Sequence, residues 1–199
     1  DIEGNKYEKD ILRLASLGVI SGYDDGTFRP EDPVKRQEFA KLLVEMLGLG
    51  SVANMMKGQA VPFADVPANS WASGYINVAV TMGIINGYPD GTFKPENPVT
   101  YAEALKMILA AIGYVPEGFT PLYWPVTWVI KAHETGLSKG IDAEAALPIN
   151  RGTVAGLLYN ALFIPHVTLG EKGFAKVDAD PTTSEVETKN FLTCLGAES

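Results

Sequence analysis

The chain repeats itself, and this repeat limits the possible folds more than any other feature of the sequence. Residues 18–38 read GVISGYDDGTFRPEDPVKRQE and residues 83–103 read GIINGYPDGTFKPENPVTYAE. At an offset of 65 residues, 13 of these 21 positions are identical. Upstream, DVPANSW from Asp65 to Trp71 matches DIEGNKY from Asp1 to Tyr7, with one residue fewer before the glycine in the first copy. A weaker third copy follows. Trp124 to Gly136 matches Trp71 to Gly83, and Ile149-Asn150-Arg151 stands where Val34-Lys35-Arg36 and Val99-Thr100-Tyr101 stand. Between those blocks the third copy has lost GYxDGTF and carries Ser138 to Pro148 instead. Self-similarity of this kind marks units that cannot bury their apolar faces alone and must stack on their neighbours.

Each copy has one layout. An amphipathic helix comes first, with Ile11, Leu14 and Ala15 apolar in copy one, Tyr75, Ile76, Ala79 and Val80 in copy two, and Trp128, Val129 and Ala132 in copy three. Gly18, Gly83 and Gly136 fall near its end, where glycine accepts the left-handed conformation of a helix stop. Asp25-Gly26 and Asp90-Gly91 then signal tight turns, and Phe28 and Phe93 are expected to plug the loop into the core. A second helix follows. Thr100 and Glu103 have capping-box spacing and Asn150 is a good cap, whereas Lys35 requires a different arrangement. Behind the caps run Phe39, Leu42, Leu43 and Met46; Leu105, Ile108, Leu109 and Ile112; and Val154, Leu157, Leu158 and Ala161. The expected units are repeat 1 over 1–50, a linker over 51–62 that loops between copies, repeat 2 over 63–114, and a degenerate repeat 3 over 115–164. A tail over 165–199 is expected to hold one short helix between Ser184 and Gly196, with Ser184 and Glu187 as its capping box.

Composition narrows the function. A net charge of −8 offers no basic stripe for nucleic acid, and any anion must be read by a few local Arg or Lys residues at short range. No apolar run is long enough for a membrane span, so no membrane partner is expected. The chain opens on Asp1 without a basic start or apolar run, which reads as a mature or trimmed chain. One cysteine, Cys194, and two histidines, His133 and His166, give no zinc or disulfide pattern. Asp24-Asp25-Gly26 lacks the regular spacing of a calcium loop. No metal, cofactor or catalytic residue is expected, since no nucleophile–base pair or phosphate loop stands outside the repeats.

At Phe63-Ala64-Asp65 with Trp71, at both GYxDGTF loops, and at Lys35-Arg36-Gln37-Glu38 and Thr100-Tyr101-Ala102-Glu103, the sequence resembles the S-layer homology family. The resemblance covers over four fifths of the chain. It implies a mainly α fold, with three helix–loop–helix repeats packed as a pseudo-three-fold-symmetric helical bundle and clefts where copies meet. It also implies an extracellular place, in the bacterial cell wall or surface layer. The implied partner is a secondary cell-wall polymer, often capped by a pyruvylated N-acetylmannosamine that carries a carboxylate.

The residue types give that implication a physical basis. Arg36 and Arg151 present planar forks of donors suited to a carboxylate, each beside a helix N-terminus that would add free N–H groups. A cation in the first turn opposes the helix dipole, so Arg36 needs Glu38, a neighbouring copy's carboxylate or a ligand as its partner. Trp71, Trp124 and Tyr7 can offer faces to sugar rings or simply pack in the core. Asp25 and Asp90 can accept sugar hydroxyls or bond their own turn, and Gly22 and Gly87 allow close backbone approach. Tyr101 replaces arginine in copy two, so the cleft it serves is either silent or reads a neutral sugar. Two functions follow: a non-catalytic anchor on a cell-wall glycan, or a structural module that associates with other surface-layer subunits and keeps only vestigial clefts.

Overall fold

A computed structural model of the chain describes residues 1–114, 124–170, 173–176 and 189–196. It is mainly α. In chain order the elements are α1 (Glu8–Ser16), α2 (Arg36–Met46), α3 (Gly50–Met56), α4 (Ser73–Thr81), α5 (Tyr101–Ala111), α6 (Val126–Thr135), α7 (Arg151–Ala161), a hairpin of β1 (Val167–Gly170) and β2 (Gly173–Lys176), and α8 (Phe191–Cys194).

The copies close on one another in a cycle. The first helix of each copy packs on the second helix of another: α1 on α7, α4 on α2, and α6 on α5. At the centre, Val34 N–H donates to Ile149 O (3.2 Å), Ile149 N–H to Val99 O (3.1 Å), and Val99 N–H to Val34 O (2.8 Å). These three residues occupy the same repeat position and are buried, so each covers backbone that would otherwise lack a partner.

The same closure occupies the helix starts. Arg36 and Gln37 donate their N–H groups to Asn97 O and Pro95 O, Tyr101 and Ala102 to Leu147 O and Ala145 O, and Arg151 and Gly152 to Asp32 O and Pro30 O. The free N–H groups expected beside the arginines are therefore already taken by carbonyls of a neighbouring copy. Thr100 and Glu103 form the reciprocal capping box, and Asn150 caps through Thr153 N–H. Lysine has no acceptor, so in copy one only the Glu38 half of the box exists, on Lys35 N–H (2.9 Å). Gly18, Gly83 and Gly136 take φ of 73°, 70° and 80°, as a left-handed helix stop requires. Ile11, Leu14, Ile76, Ala79, Trp128 and Ala132 are buried as their periodicity predicts; Ala15 and Val129 lie exposed.

The linker departs from expectation, because α3 is helical where a loop was predicted. It has no side-chain cap and spans only two turns, so it holds by packing on α4. Gly74 makes this possible: a Cβ there would lie 1.9 Å from Ala53 O.

The tail helix α8 begins at Phe191 and is capped by Asn190 through Thr193 N–H (3.0 Å), while Ser184 and Glu187 lie outside the described residues. Phe191 and Leu192 are buried against the bundle, and His166 meets the Phe191 ring edge-on at 4.8 Å. The His166 backbone N–H donates to Lys189 O (2.6 Å), but its buried Nε2 has no hydrogen-bond partner among the described residues. Burial, with a smaller effect of the Lys189 charge, pushes the imidazole down to about 4 from 6.5. Because the unfolded chain binds the proton more readily, this group loses stability as pH falls from about 6.5 and stops losing it below about 4. The loss approaches roughly 3 kcal/mol across that window. His166→Gln cannot take the proton, so urea unfolding at pH 7 and pH 4.5 is expected to show a smaller acid penalty than in the parent. An unchanged penalty would place the acid sensitivity elsewhere.

Candidate functional site

Each GYxDGTF segment folds as a tight loop closed by Tyr23 N–H to Thr27 O (2.7 Å), or Tyr88 N–H to Thr92 O (2.8 Å). Asp25 Oδ1 accepts from Thr27 N–H (3.0 Å) and Thr27 Oγ1 (2.6 Å), and Asp90 repeats both bonds on Thr92. These bonds hold both carboxyls below the usual carboxylate range, with the Arg29 pairing adding to the effect at Asp25. The loop then delivers Phe28 or Phe93 to the core. Just beyond, Arg29 (φ 57°) and Lys94 (φ 58°) adopt a left-handed conformation that L side chains disfavour. A carboxylate from the start of the same copy holds each bend. Asp1 accepts from Phe28 and Arg29 N–H (2.8 and 2.6 Å), and Asp65 from Phe93 and Lys94 N–H (2.8 and 2.7 Å).

Two clefts open beside these loops, each completed by an arginine from another copy. In the first, the copy-one loop (Ile20, Ser21, Gly22, Tyr23) and α2 (Glu38, Lys41, Leu42) face Arg151 at the start of α7, with Trp71 at the rim. In the second, Ile85, Asn86, Gly87 and Tyr88 with α5 (Glu103, Lys106, Met107) face Arg36 at the start of α2, with Trp124 at the rim. Their volumes are about 270 and 420 Å³. Loop and helix residues correspond one for one at the repeat offset of 65, such as Lys41 with Lys106.

The arginines sit alike on their loops. Arg151 Nε donates to Phe28 O (2.8 Å), and its guanidinium lies over the rings of Tyr23 (4.9 Å) and Phe28 (4.4 Å). Arg36 Nε donates to Phe93 O (2.9 Å), over Tyr88 (4.7 Å) and Phe93 (5.0 Å). Stacking of this kind fixes a guanidinium plane, which lysine cannot present. Their remaining donors differ. Arg36 Nη1 pairs with Glu103 Oε1 (3.1 Å), which also accepts from Tyr88 OH (2.6 Å). Arg151 Nη2 donates to Ser21 O (2.9 Å). Lys106 is held below its usual range by burial and, secondarily, by the Arg36 charge.

The third equivalent position is filled. Tyr101, where the other copies carry arginine, is buried, and burial pushes its hydroxyl up with Tyr7 and Asp142 adding to the effect. Gly156 stands on α7 where Lys41 and Lys106 stand, and the Tyr7 ring lies over it, with Cε1 only 2.5 Å from where a Cβ would be.

The structure thus gathers Arg151, Trp71 and Gly22 in one cleft and Arg36, Trp124 and Gly87 in the other, and leaves Asp25 and Asp90 out of both linings. Trp71 and Trp124 are 46% and 59% exposed, so they stand at the rims of the clefts and not in the core. Gly22 and Gly87 serve their own loops as well: a Cβ would lie 2.7 Å from Thr27 O in the first, and 2.3 Å from the Phe63 ring in the second. Sequence reasoning missed Lys41, Lys106, Tyr23 and Tyr88 as cleft residues. Their matched placement in the two strong copies was the available signal. Among the described residues no group of three or more His, Cys, Asp or Glu could hold a metal ion, and no helix is long and apolar enough to cross a membrane.

The family model for the S-layer homology domain matches residues 1–40 and 62–105, the two copies that own the open clefts' loops. The chain belongs to the S-layer homology family. Over 97% of its length it is 33% identical to a "Cell surface protein" of Thermoanaerobacter kivui, and over 78% it is 39% identical to a "Surface layer protein" of Brevibacillus choshinensis. A "Cellulosome-anchoring protein" of Acetivibrio thermocellus is 35% identical over 49% of the chain. The chain spans 24%, 14% and 22% of these three proteins. S-layer homology repeats of this kind are modules of cell-surface proteins, and this chain's place is outside the cell, in the wall or its surface layer.

Proposed function

We propose that this S-layer homology module anchors its protein non-covalently by binding a secondary cell-wall polysaccharide in the two open clefts. The glycan expected is one carrying a pyruvylated N-acetylmannosamine. The observation that carries this reading is the duplicated cleft itself: a guanidinium stacked on two rings, a lysine on the facing helix, and an exposed tryptophan at the rim. Guanidinium and ammonium groups suit a carboxylate, and an exposed indole suits a sugar face. One charge-assisted hydrogen bond contributes roughly 1.5–3 kcal/mol, so a single cleft binds modestly and a repeating polymer adds avidity. The reading requires no catalysis by this chain.

The association reading draws on the third position, where Tyr7 and Tyr101 leave a packed contact. Two open clefts weigh against extending it to the whole module. Retention on purified cell-wall sacculi tests the choice. The parent is expected to be retained, and Trp71→Ala with Trp124→Ala to weaken retention at least tenfold while the fold persists. A parent that passes through sacculi unretained, yet self-associates in sedimentation, would put the association reading first.

A further inference from the structure

The two clefts share a residue plan but differ in how their charges are satisfied. In the Arg36 cleft the guanidinium is only 4% exposed as a residue and already holds a carboxylate, that of Glu103. The same carboxylate takes the Tyr88 hydroxyl and the Thr100 N–H, so both of its oxygens are occupied and it is fixed in place. An incoming anion would have to displace or adjoin that fixed negative charge. Lys106, the other cation there, is partly buried and stands 6.0 Å from the Trp124 ring.

In the Arg151 cleft the counterpart of Glu103 is Glu38, which also lines the cleft and takes its own cap's N–H, that of Lys35 (2.9 Å), but makes no ion pair with the arginine. Among the described residues no carboxylate lies within 4.0 Å of Arg151, whose two hydrogen bonds both go to neutral backbone carbonyls. Arg151 therefore lines the cleft without a directly paired carboxylate among the described residues, its hydrogen bonds there coming from Nε and Nη2, with Lys41 as a second cation in the lining. On a chain of net charge −8, an uncompensated cation at short range is what a carboxylate ligand requires.

Resting on the glycan-binding reading above, we infer that the clefts divide the ligand: the Arg151 cleft reads the carboxylate, and the Arg36 cleft takes uncharged sugar. Arg36 is then chiefly an internal ion pair that ties copy one to copy two, while Arg151 is the specificity-determining residue for the anionic group.

The test compares a short glycan ending in pyruvylated N-acetylmannosamine with the same glycan after removal of the pyruvate, by calorimetric titration of the whole chain. The parent is expected to prefer the charged glycan by about tenfold to a hundredfold. Arg151→Gln is expected to erase that preference, and Arg36→Gln to keep it. Because Arg36→Gln removes a buried partner and can unfold the chain, tryptophan fluorescence supplies an independent readout. The difference between the responses to the charged and the pyruvate-free glycan is expected to survive in Trp124→Phe, which keeps Trp71 at the Arg151 cleft, and to disappear in Trp71→Phe. A preference erased by Arg36→Gln but not Arg151→Gln, a pyruvate-dependent difference that follows Trp124 instead of Trp71, or equal parent affinity for the two glycans would overturn the division of labour alone. A parent that binds neither glycan, and is not retained on sacculi, would overturn the glycan-binding reading beneath it.

Discussion

Phe93→Ala is expected to lower unfolding free energy by about 3–5 kcal/mol, the range for emptying a fully enclosed aromatic site. The Phe93 ring has no exposed surface, stacks on Phe63 at 5.5 Å and supports the Arg36 guanidinium at 5.0 Å. Its loss opens a cavity under the second cleft and removes one face on which that arginine is positioned. A domain of this size has on the order of 5–15 kcal/mol of stability in all, so the variant should unfold at far lower urea with little change in slope. Phe93→Leu, which keeps part of the volume, is expected to fall between. A cost below about 1 kcal/mol for the alanine variant would mean that the loop is not anchored through this ring.

Asp65→Ala is expected to cost about 3 kcal/mol, because two backbone N–H groups lose one ionised acceptor together. Those groups belong to Phe93 and Lys94, and Lys94 is held at φ 58°. Without the clamp the left-handed residue has little to keep it there. The second substitution Lys94→Gly should therefore restore about 1 kcal/mol, since glycine takes positive φ without penalty. Asp65→Asn keeps one acceptor oxygen and is expected to lose less. Urea midpoints of the four proteins check the series, and a Lys94→Gly substitution that gives no recovery would separate the clamp from the bend.

Both predictions rest on features that were partly legible in the sequence. The repeat located the loops, the glycine stops and the buried phenylalanines, because each depends on local backbone geometry or on a residue's own apolar surface. Asn150 and Thr100 announced their helix starts for the same reason. Helix α3 gave no such signal: its formation depends on Ala53 meeting Gly74, a contact no local pattern contains. The helix N-termini were misread as open to an anion because the carbonyls that occupy them come from another copy, 61 residues away for Arg36 with Asn97.

The site was legible as residue types and not as partnerships. Arg36 and Arg151 stood out, yet each serves a loop that is not its own, and only the cyclic packing assigns them. Trp71 and Trp124 could not be sorted between core and rim from sequence, since a helix start faces either way until its neighbour is placed. The filled third position was half visible. Tyr101 in place of arginine was evident, whereas the role of Gly156 in admitting Tyr7 needed the α1–α7 packing.

The loop of three hydrogen bonds through Val34, Ile149 and Val99 also fixes how this architecture can change by duplication. An open stack of repeats grows by adding a unit at either end, because each unit needs only its neighbours. Here the last unit returns to the first, so a fourth inserted in line would find no free edge and would have to break a bond already made. Lengthening such a protein means starting another closed set of three or attaching an unrelated domain. A decayed unit cannot simply be deleted either, which accounts for a third copy that has lost its own loop while still completing the first copy's cleft with Arg151.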